Sequence, residues 1–139
     1  MLYPLLPHKR QVSLSDISAK TGLVFPHSAR LRRSQYVRYA RTSFLWAEVT
    51  TDKESVGPFV DQTSSTLGLR FSKDFQMSRL VPDEAEWRDS VSIPSWWRPD
   101  DVRASLGAGG QVGLEGWLEV LIHESSNAHA TLYIQWTKG

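Results

Sequence analysis

Residues 115–137 read EGWLEVLIHESSNAHATLYIQWT, and this stretch decides the fold. Apolar side chains recur at every second position on both sides of the polar segment Ser125-Ser126-Asn127. A two-residue period places alternate side chains on opposite faces of a strand, and β-branched and aromatic residues favour strands. The pattern therefore predicts an antiparallel β-hairpin. Five side chains are expected on its buried face: Leu118, Val120, Ile122, Leu132 and Ile134.

The same alternation limits which residues can oppose each other. Odd-numbered side chains share the outer face of both strands, so the numbers of two opposed residues have an even sum. A turn centred on Ser126 meets this condition with a three- or five-residue loop, a common hairpin connection. That register places His123 opposite His129, with Cβ atoms about 4.5–5.5 Å apart. With Glu124 nearby, the two imidazoles form a weak candidate metal site, and the alternative is a pair that repels when protonated.

Composition excludes several classes of protein. A chain of 139 residues with 40% apolar and 22% charged residues is expected to form one domain, residues 1–139. A net charge of +1 gives no overall field for nucleic acid or an anionic membrane. The absence of cysteine excludes disulfides, thiolate zinc sites and cysteine nucleophiles. No cofactor is expected.

The N-terminal sequence and the hydropathy bear on localisation. No stretch of the chain is long and apolar enough for a membrane span. The start, MLYPLLPHKR, places its charges after its apolar residues, unlike a signal peptide. The expectation is a cytoplasmic protein, and the alternative is an exported or lipid-anchored protein whose leader has been removed.

The first half of the chain predicts an arm, two helices and two strands. Residues 1–12 hold two prolines and no period, which indicates an arm. Ser13 to Asp16 fits a capping box, so a helix is expected to Lys20 and to end at Gly22. Residues 29–33 and 42–50 are predicted strands. A second capping box, Thr51 to Glu54, predicts a helix to about residue 63, with Pro58 as an alternative first residue.

The second half is less regular before the hairpin. Residues 69–75 fit a strand or a loop, and residues 82–87 fit one or two helical turns with acids first. Residues 93–99 are predicted to be extended because prolines disfavour helical backbone in the residues before them. Residues 99–106 fit a short helix, and GAGGQVG, residues 107–113, a flexible connector. Short helices between strands, followed by a hairpin, predict an α+β fold with one antiparallel sheet.

Two segments carry a family resemblance. They are Pro26-His27-Ser28-Ala29, a "P-x-S-A" segment, and Pro94-Ser95-Trp96-Trp97-Arg98-Pro99, a "P-x-W-W-x-P" element. With the strand and the Phe59-Val60 helix between them, the order resembles a group of small uncharacterised bacterial proteins, many of them lipoproteins. The resemblance covers roughly residues 14–137, and Trp-Trp-x-Pro is its specific part. It implies no established activity, and this chain lacks the lipidation cysteine. By analogy, such a protein resembles an immunity protein encoded beside a secreted toxin.

An arginine-rich segment is the first candidate binding site. Guanidinium groups interleaved with Tyr36 and Tyr39 can hold phosphates and stack on bases. The alternative is a solvated segment whose arginines pair with some of the 15 acids, and the balanced net charge favours this alternative. The arginines are Arg30, Arg32, Arg33, Arg38 and Arg41.

The double tryptophan is the second candidate site. In an extended segment Trp96 and Trp97 point to opposite sides, so one is expected in the core and the other at the surface under Arg98. An exposed tryptophan beside an arginine is typical of a protein interface. The alternative is a purely structural role for both indoles.

No catalytic motif occurs in the sequence. GAGGQVG leads into a strand rather than from a strand into a helix, and neither G-x-S-x-G nor H-E-x-x-H is present. The acids at residues 83, 84, 86, 100 and 101 fall in predicted first turns, where capping explains them. The sequence therefore favours a non-catalytic protein that binds a protein partner, with an immunity or inhibitor role to be tested first. An anion or nucleic-acid binder using residues 30–41 is the alternative, and an enzyme with an unrecognised site is a third.

Overall fold

The computed structural model describes residues 8–39, 41–78, 93–99 and 106–139. Within these residues the chain forms one six-stranded antiparallel sheet and two α-helices, which confirms the predicted α+β class. The order across the sheet is β1-β2-β3-β6-β5-β4, so β3 and β6 meet at its centre. The strands are β1 His8–Arg10, β2 Arg30–Tyr39, β3 Thr42–Asp52, β4 Leu106–Val112, β5 Gly116–His123 and β6 His129–Lys138.

The first helix, α1, spans Leu14–Thr21 and confirms the first capping box. The Ser13 hydroxyl accepts the Asp16 amide at 3.1 Å, and the Asp16 carboxylate accepts the Ser13 amide at 3.2 Å. The Ser13 amide and hydroxyl lower the pKa of Asp16, because hydrogen bonds to the ionised form stabilise it. Gly22 ends the helix with φ of 83°, a left-handed conformation that glycine adopts without strain.

The second capping box is wrong. Thr51 and Asp52 belong to β3 and pair with Ala130 and His129, so their backbone is extended. A 3-10 turn at Lys53–Ser55 follows, and the second helix, α2, spans Val56–Leu67 with no side-chain cap. The helix runs four residues beyond the predicted end near residue 63, and Gly68 ends it.

The helices cover one face of the sheet, called here the first face. Ile17 of α1 and Phe59 of α2 belong to the same buried cluster as the even-numbered side chains of the hairpin. This cluster confirms the central prediction. Each of the five side chains expected on the buried face is 0% exposed: Leu118, Val120, Ile122, Leu132 and Ile134.

The predicted hairpin register is wrong by two residues, although its parity is right. His123 lies opposite Thr131, and His129 pairs across to Asp52 of β3 instead. The two imidazoles are therefore not opposed, and the candidate metal site lacks the geometry on which it depended. The shift arises because Ser126 stabilises a wider loop: its hydroxyl accepts the His129 amide at 3.1 Å.

Two segments predicted to be irregular are edge strands. Part of the expected arm forms β1, which pairs with β2. Residues 107–112 of the expected connector lie in β4, which pairs with β5. Glycine is required in β4 because a Cβ at Gly107 would collide with the Phe75 ring. Residues 69–75 are irregular apart from one bridge between Ser72 and Gly107.

Both strands predicted in the first half of the chain are present. The β2 strand runs six residues further than the predicted end at residue 33, and β3 confirms the strand at residues 42–50. The turns predicted at residues 82–87 and most of the helix predicted at 99–106 lie outside the described residues. Neither helix in the described ranges is long and apolar enough to cross a membrane.

Candidate partner-binding site

The face of the sheet opposite the helices, called here the second face, is also covered. The odd-numbered side chains of the hairpin, expected on the outside, are largely buried there: Glu119 is 1% exposed and Tyr133 is 8% exposed. Residues 75–77 and 93–97 supply the cover. The cluster on this face comprises Val37, Phe44, Trp46, Trp97, Leu121 and Tyr133, with Phe75, Met77, Ile93 and Trp96 packed against it.

The double tryptophan lies in a turn, not in an extended segment. The Trp97 amide donates to the Pro94 carbonyl at 3.0 Å. The extended prediction fails because the prolines constrain only the residue before each of them, which leaves Ser95 and Trp96 free to turn. Trp97 is buried with its ring edge-on to Tyr133 at 5.8 Å. Trp96 is half-buried and meets Trp97 edge-on at 6.2 Å.

The cation above Trp96 comes from the arginine-rich segment. The Arg33 guanidinium lies 5.3 Å from the centre of the Trp96 ring. Arg98, expected in that position, instead donates to the Ser95 carbonyl at 3.3 Å and is exposed. The structure thus brings together one residue from each candidate site. The half-buried indole of Trp96, Arg33 and the neighbouring Arg98 are called here the Arg33–Trp96 surface.

The second-face residue Glu48 holds Arg33 in place. Glu48 lies opposite Arg33 on β3, and both Arg33 Nε and a terminal nitrogen lie 3.2 Å from its carboxylate. The Glu48 side chain is 3% exposed and that of Arg33 is 40% exposed. The guanidinium is therefore fixed on one side by a buried carboxylate, on another by an indole, and remains open to solvent.

The remaining arginines do not join this surface. Arg30 donates to the carbonyls of His27 and Ala29 at 3.2 and 3.0 Å. Arg38 is exposed and falls on the first-face side of β2, because it lies two residues from Tyr36, which packs in the first-face cluster. Arg32, at an irregularity between Leu31 and Arg33, and Arg41 are exposed. The segment therefore presents its arginines on both sides of the sheet.

Replacing Arg33 should destabilise the fold more than replacing Arg38. Removing Arg33 leaves the Glu48 carboxylate buried without its cation, a change that costs 3–5 kcal/mol in fully buried pairs. Because Arg33 is 40% exposed, we expect Arg33→Ala to lower the free energy of unfolding by about 1–3 kcal/mol. Urea denaturation measures the change. Arg38→Ala should stay within about 0.5 kcal/mol of the parent.

The double variant Arg33→Ala/Glu48→Gln tests the cause. It removes the uncompensated charge, so it should recover part of the loss seen in Arg33→Ala. A double variant that is no more stable than Arg33→Ala would show that the loss comes from lost packing rather than from the buried carboxylate.

Tyr133 lies beside Glu48 on the neighbouring strand β6. Burial raises the pKa of Tyr133 above the ordinary value of 10.0, and the negative charge of Glu48 raises it further. Arg32 and Arg33 act in the opposite direction. The neutral phenol is thus favoured in the folded protein.

This pKa predicts a loss of stability at alkaline pH. The folded state holds the Tyr133 proton more tightly than the unfolded state, so its contribution is complete below pH 10 and is lost as pH rises through the folded pKa. Urea denaturation from about pH 9 to pH 11 measures the slope. Tyr133→Phe should show a smaller decline than the parent across this interval. Equal slopes in the two proteins would contradict the raised pKa.

A buried network of polar side chains also lies on the second face of the sheet. The Trp46 indole N–H donates to the Gln135 side-chain oxygen at 3.1 Å, and the Gln135 amide donates to Glu119 at 3.3 Å. Glu119 also accepts the Ser78 amide at 2.9 Å and the Ser78 hydroxyl at 2.6 Å. Gln135 completes the network by donating to the Ser78 carbonyl at 2.7 Å. These bonds fasten residue 78 to the sheet.

A separate cleft of about 510 Å³ lies on the helix side of the sheet. It runs between Pro26-His27-Ser28, the segment that carries part of the family resemblance, and the start of α2. The Ser28 hydroxyl forms hydrogen bonds with the Thr51 hydroxyl at 2.7 Å and with the Ser55 hydroxyl at 3.2 Å. Ser28, the serine of the "P-x-S-A" segment, therefore joins this segment to β3 and to the turn before α2.

Sequence reasoning missed the polar residues of the second face. Glu48, Glu119 and Gln135 each interrupt an apolar strand at an alternate position, and that interruption was the available signal. Among the residues that the structure describes, no group of three or more His, Cys, Asp or Glu side chains could hold a metal ion. No family model, curated protein or solved structure matches this chain.

Proposed function

We propose that this protein is a non-catalytic binding protein whose partner is another protein, and that it binds this partner through the Arg33–Trp96 surface. The observation that supports the proposal is the position of the Arg33 guanidinium, 5.3 Å above a half-buried indole and paired with buried Glu48. Tryptophan and arginine are the residue types most often found to carry binding energy at protein interfaces.

The fixed position of these side chains favours binding. Trp96 rests on Trp97, which is itself held by Tyr133, and Arg33 is held by Glu48. Side chains ordered before binding lose less conformational entropy when a partner covers them. The surface therefore has the preformed character of a binding site.

The exposed charge on this side indicates an acidic partner surface. Arg98 is exposed, and Arg33 keeps part of its guanidinium open to solvent. A carboxylate of the partner would pair with these groups without displacing Glu48. An immunity or inhibitor role is the form of this function that we would test first, because such a protein acts by covering its partner.

The anion-binding alternative has less support. It requires the arginines of residues 30–41 to act together, and Arg33 and Arg38 lie toward opposite faces of the sheet. Binding of a single-stranded oligonucleotide, followed as salt is raised, tests it, because phosphate contacts lose affinity steeply with salt. Tight, salt-sensitive binding would favour the alternative.

The experiment that tests the proposed function compares two tryptophan variants. A protein retained by the immobilised parent from the source cell is purified, and its affinity is measured by titration calorimetry. We expect Trp96→Ala to weaken binding by about 2 kcal/mol or more, which is about thirtyfold. Trp117→Ala is the matched control, since Trp117 is 42% exposed on β5 and should leave the affinity unchanged.

The outcomes test the Arg33–Trp96 surface and the immunity or inhibitor role separately. Equal affinities for the parent and Trp96→Ala would show that the Arg33–Trp96 surface is not the binding site. If the partner is a toxin or an enzyme, the parent should block its activity at one equivalent and Trp96→Ala should not. A partner that stays fully active in the complex would rule out the immunity or inhibitor role.

A further inference from the structure

A tryptophan on the first face of the sheet has an indole N–H without an acceptor. Trp136 belongs to the first-face cluster and is 5% exposed. The N–H of a buried indole normally finds an acceptor, as that of Trp46 does in Gln135 at 3.1 Å. Within the described residues, no group accepts the Trp136 N–H. Every fully buried side-chain nitrogen and oxygen there has a partner, so Trp136 Nε1 keeps some contact with solvent.

This N–H opens into a cleft of about 270 Å³. Trp136 and Gly116 both line the cleft, and a Cβ added at Gly116 would lie 3.3 Å from Trp136 Nε1. The glycine therefore leaves the approach to the N–H free. The C-terminal ends of both helices contribute Gly22 and Leu67 to the walls. Because a closed cavity of about 150 Å³ can hold benzene, this volume is sufficient for a ring with a small polar group attached.

Two lysines place positive charge at this cleft. Lys20, from the last turn of α1, and Lys138, from the end of β6, both line it. The Lys20 ammonium lies 4.5 Å from the centre of the Tyr36 ring. Neither lysine forms a salt bridge with a carboxylate of the described residues. An indole donor and two ammonium groups without a paired carboxylate fit a ligand that carries a negatively charged acceptor.

Other groups limit the charge and the shape of that ligand. The Glu115 side chain also lines the cleft, and the C-terminal ends of helices carry partial negative charge. These groups repel a dianion such as phosphate more than a monoanion. Three apolar side chains complete the argument, because covering them removes apolar surface from water and so favours a ligand with an apolar body. They are Leu67, Val112 and Leu114, of which Leu114 is 94% exposed.

We propose that this cleft binds a small monocarboxylic acid whose apolar body is about the size of one ring. The carboxylate accepts the Trp136 N–H and interacts with the ammonium groups of Lys20 and Lys138, while the apolar body covers Leu67 and Leu114. The cleft lies on the helix side of the sheet, whereas the Arg33–Trp96 surface lies on the second face. This binding site therefore does not depend on the proposed partner-binding function.

Titration with benzoate, followed by NMR of the indole N–H groups, tests the proposal. The Trp136 signal is identified by its Overhauser effect to Gly116, which lies against Nε1. Benzoate should shift this signal with a Kd on the order of 1 mM, while the signal of Trp46, already bonded to Gln135, should stay in place. Neutral benzamide and inorganic phosphate should each bind about tenfold more weakly. No saturable shift up to about 20 mM benzoate, or equal affinity for benzamide, would overturn the proposal.

Charge variants at exposed positions give a second test, in which the tryptophan is kept. Lys138→Met removes an ammonium group and should weaken benzoate binding about threefold, whereas Glu115→Gln removes the opposing carboxylate and should strengthen binding about threefold. Lys73→Met is the matched control, since Lys73 is exposed, does not line the cleft and changes the net charge by the same amount. Equal affinities in Lys138→Met and Lys73→Met, or weaker binding in Glu115→Gln, would contradict the proposed position of the carboxylate.

Discussion

Ile134→Ala is expected to lower the free energy of unfolding by about 2–5 kcal/mol. Ile134 is 0% exposed and lies between Ala47 and Val120 at the centre of the sheet. Truncation removes buried apolar surface and leaves a cavity that small neighbours such as Ala47 cannot fill. Since domains of this kind are stable by only about 5–15 kcal/mol, the variant should have a clearly lower urea midpoint.

The control for this variant is Leu114→Ala. Leu114 is 94% exposed, so its truncation should change the free energy of unfolding by no more than about 0.5 kcal/mol. A loss below about 1 kcal/mol for Ile134→Ala would show that this part of the core repacks around the missing atoms.

Glu119→Ala is expected to cost about 3–5 kcal/mol, because hydrogen bonds to a charged group contribute about 1.5–3 kcal/mol each. The Glu119 carboxylate accepts the amide and hydroxyl of Ser78 and the amide of Gln135. Without it, these donors lose their partner and residue 78 is no longer fastened to β5. Urea denaturation measures the loss, and hydrogen exchange at the Trp97 amide, which donates to the Pro94 carbonyl, reports whether the cover of the second face loosens.

Two milder variants separate the contribution of the Glu119 charge from that of the Ser78 hydroxyl. Glu119→Gln keeps the volume and one acceptor oxygen, so it should cost less than Glu119→Ala. Ser78→Ala removes the hydroxyl but keeps the amide that bonds to the carboxylate, and it should also fall between the parent and Glu119→Ala. A loss of under about 1 kcal/mol in Glu119→Ala would show that the network does not hold the segment in place.

The sequence predicted the elements that are stabilised by contacts between residues close together in the chain. The capping box of α1 needs only Ser13 and Asp16, and both of its hydrogen bonds form within one turn. The alternation in residues 115–137 is also local, and it identifies both strands and the parity of their pairing. It does not identify the register, because that depends on the wider loop held by the Ser126–His129 hydrogen bond and on the pairing of His129 with Asp52 of β3.

The misread glycine-rich segment shows where local reasoning ends. Glycine is unfavourable in strands, so residues 107–113 suggest a connector. In the structure the absence of side chains is what lets Phe75 lie against Gly107 and Gly109 and lets Leu69 approach Gly110. The reason for the strand is therefore a tertiary contact that no local pattern contains.

The sequence predicted residues of the candidate site but not the contact between them. Trp96 and Arg33 each belonged to a candidate set, but the predicted neighbour of the indole was Arg98, which is close in sequence. Their contact depends on the turn at residues 94–97 and on the pairing of β2 with β3, which aims Arg33 at Glu48. Contacts between residues on different elements follow from topology, and topology was not readable from this sequence alone.

The strand order has a consequence for the rate of folding. The strands β2 and β3 adjoin in sequence, as do β4, β5 and β6. The central pair β3 and β6 instead joins distant parts of the chain: Trp46 and Gln135, for example, are 89 positions apart. Closing so long a loop costs more entropy than forming a hairpin, and non-local pairing slows folding. The two outer groups of strands should form first, and joining them along the middle of the sheet should be the slow step. Variants along β3 and β6 would then change the folding rate, while variants in the hairpin turns would chiefly change the early steps.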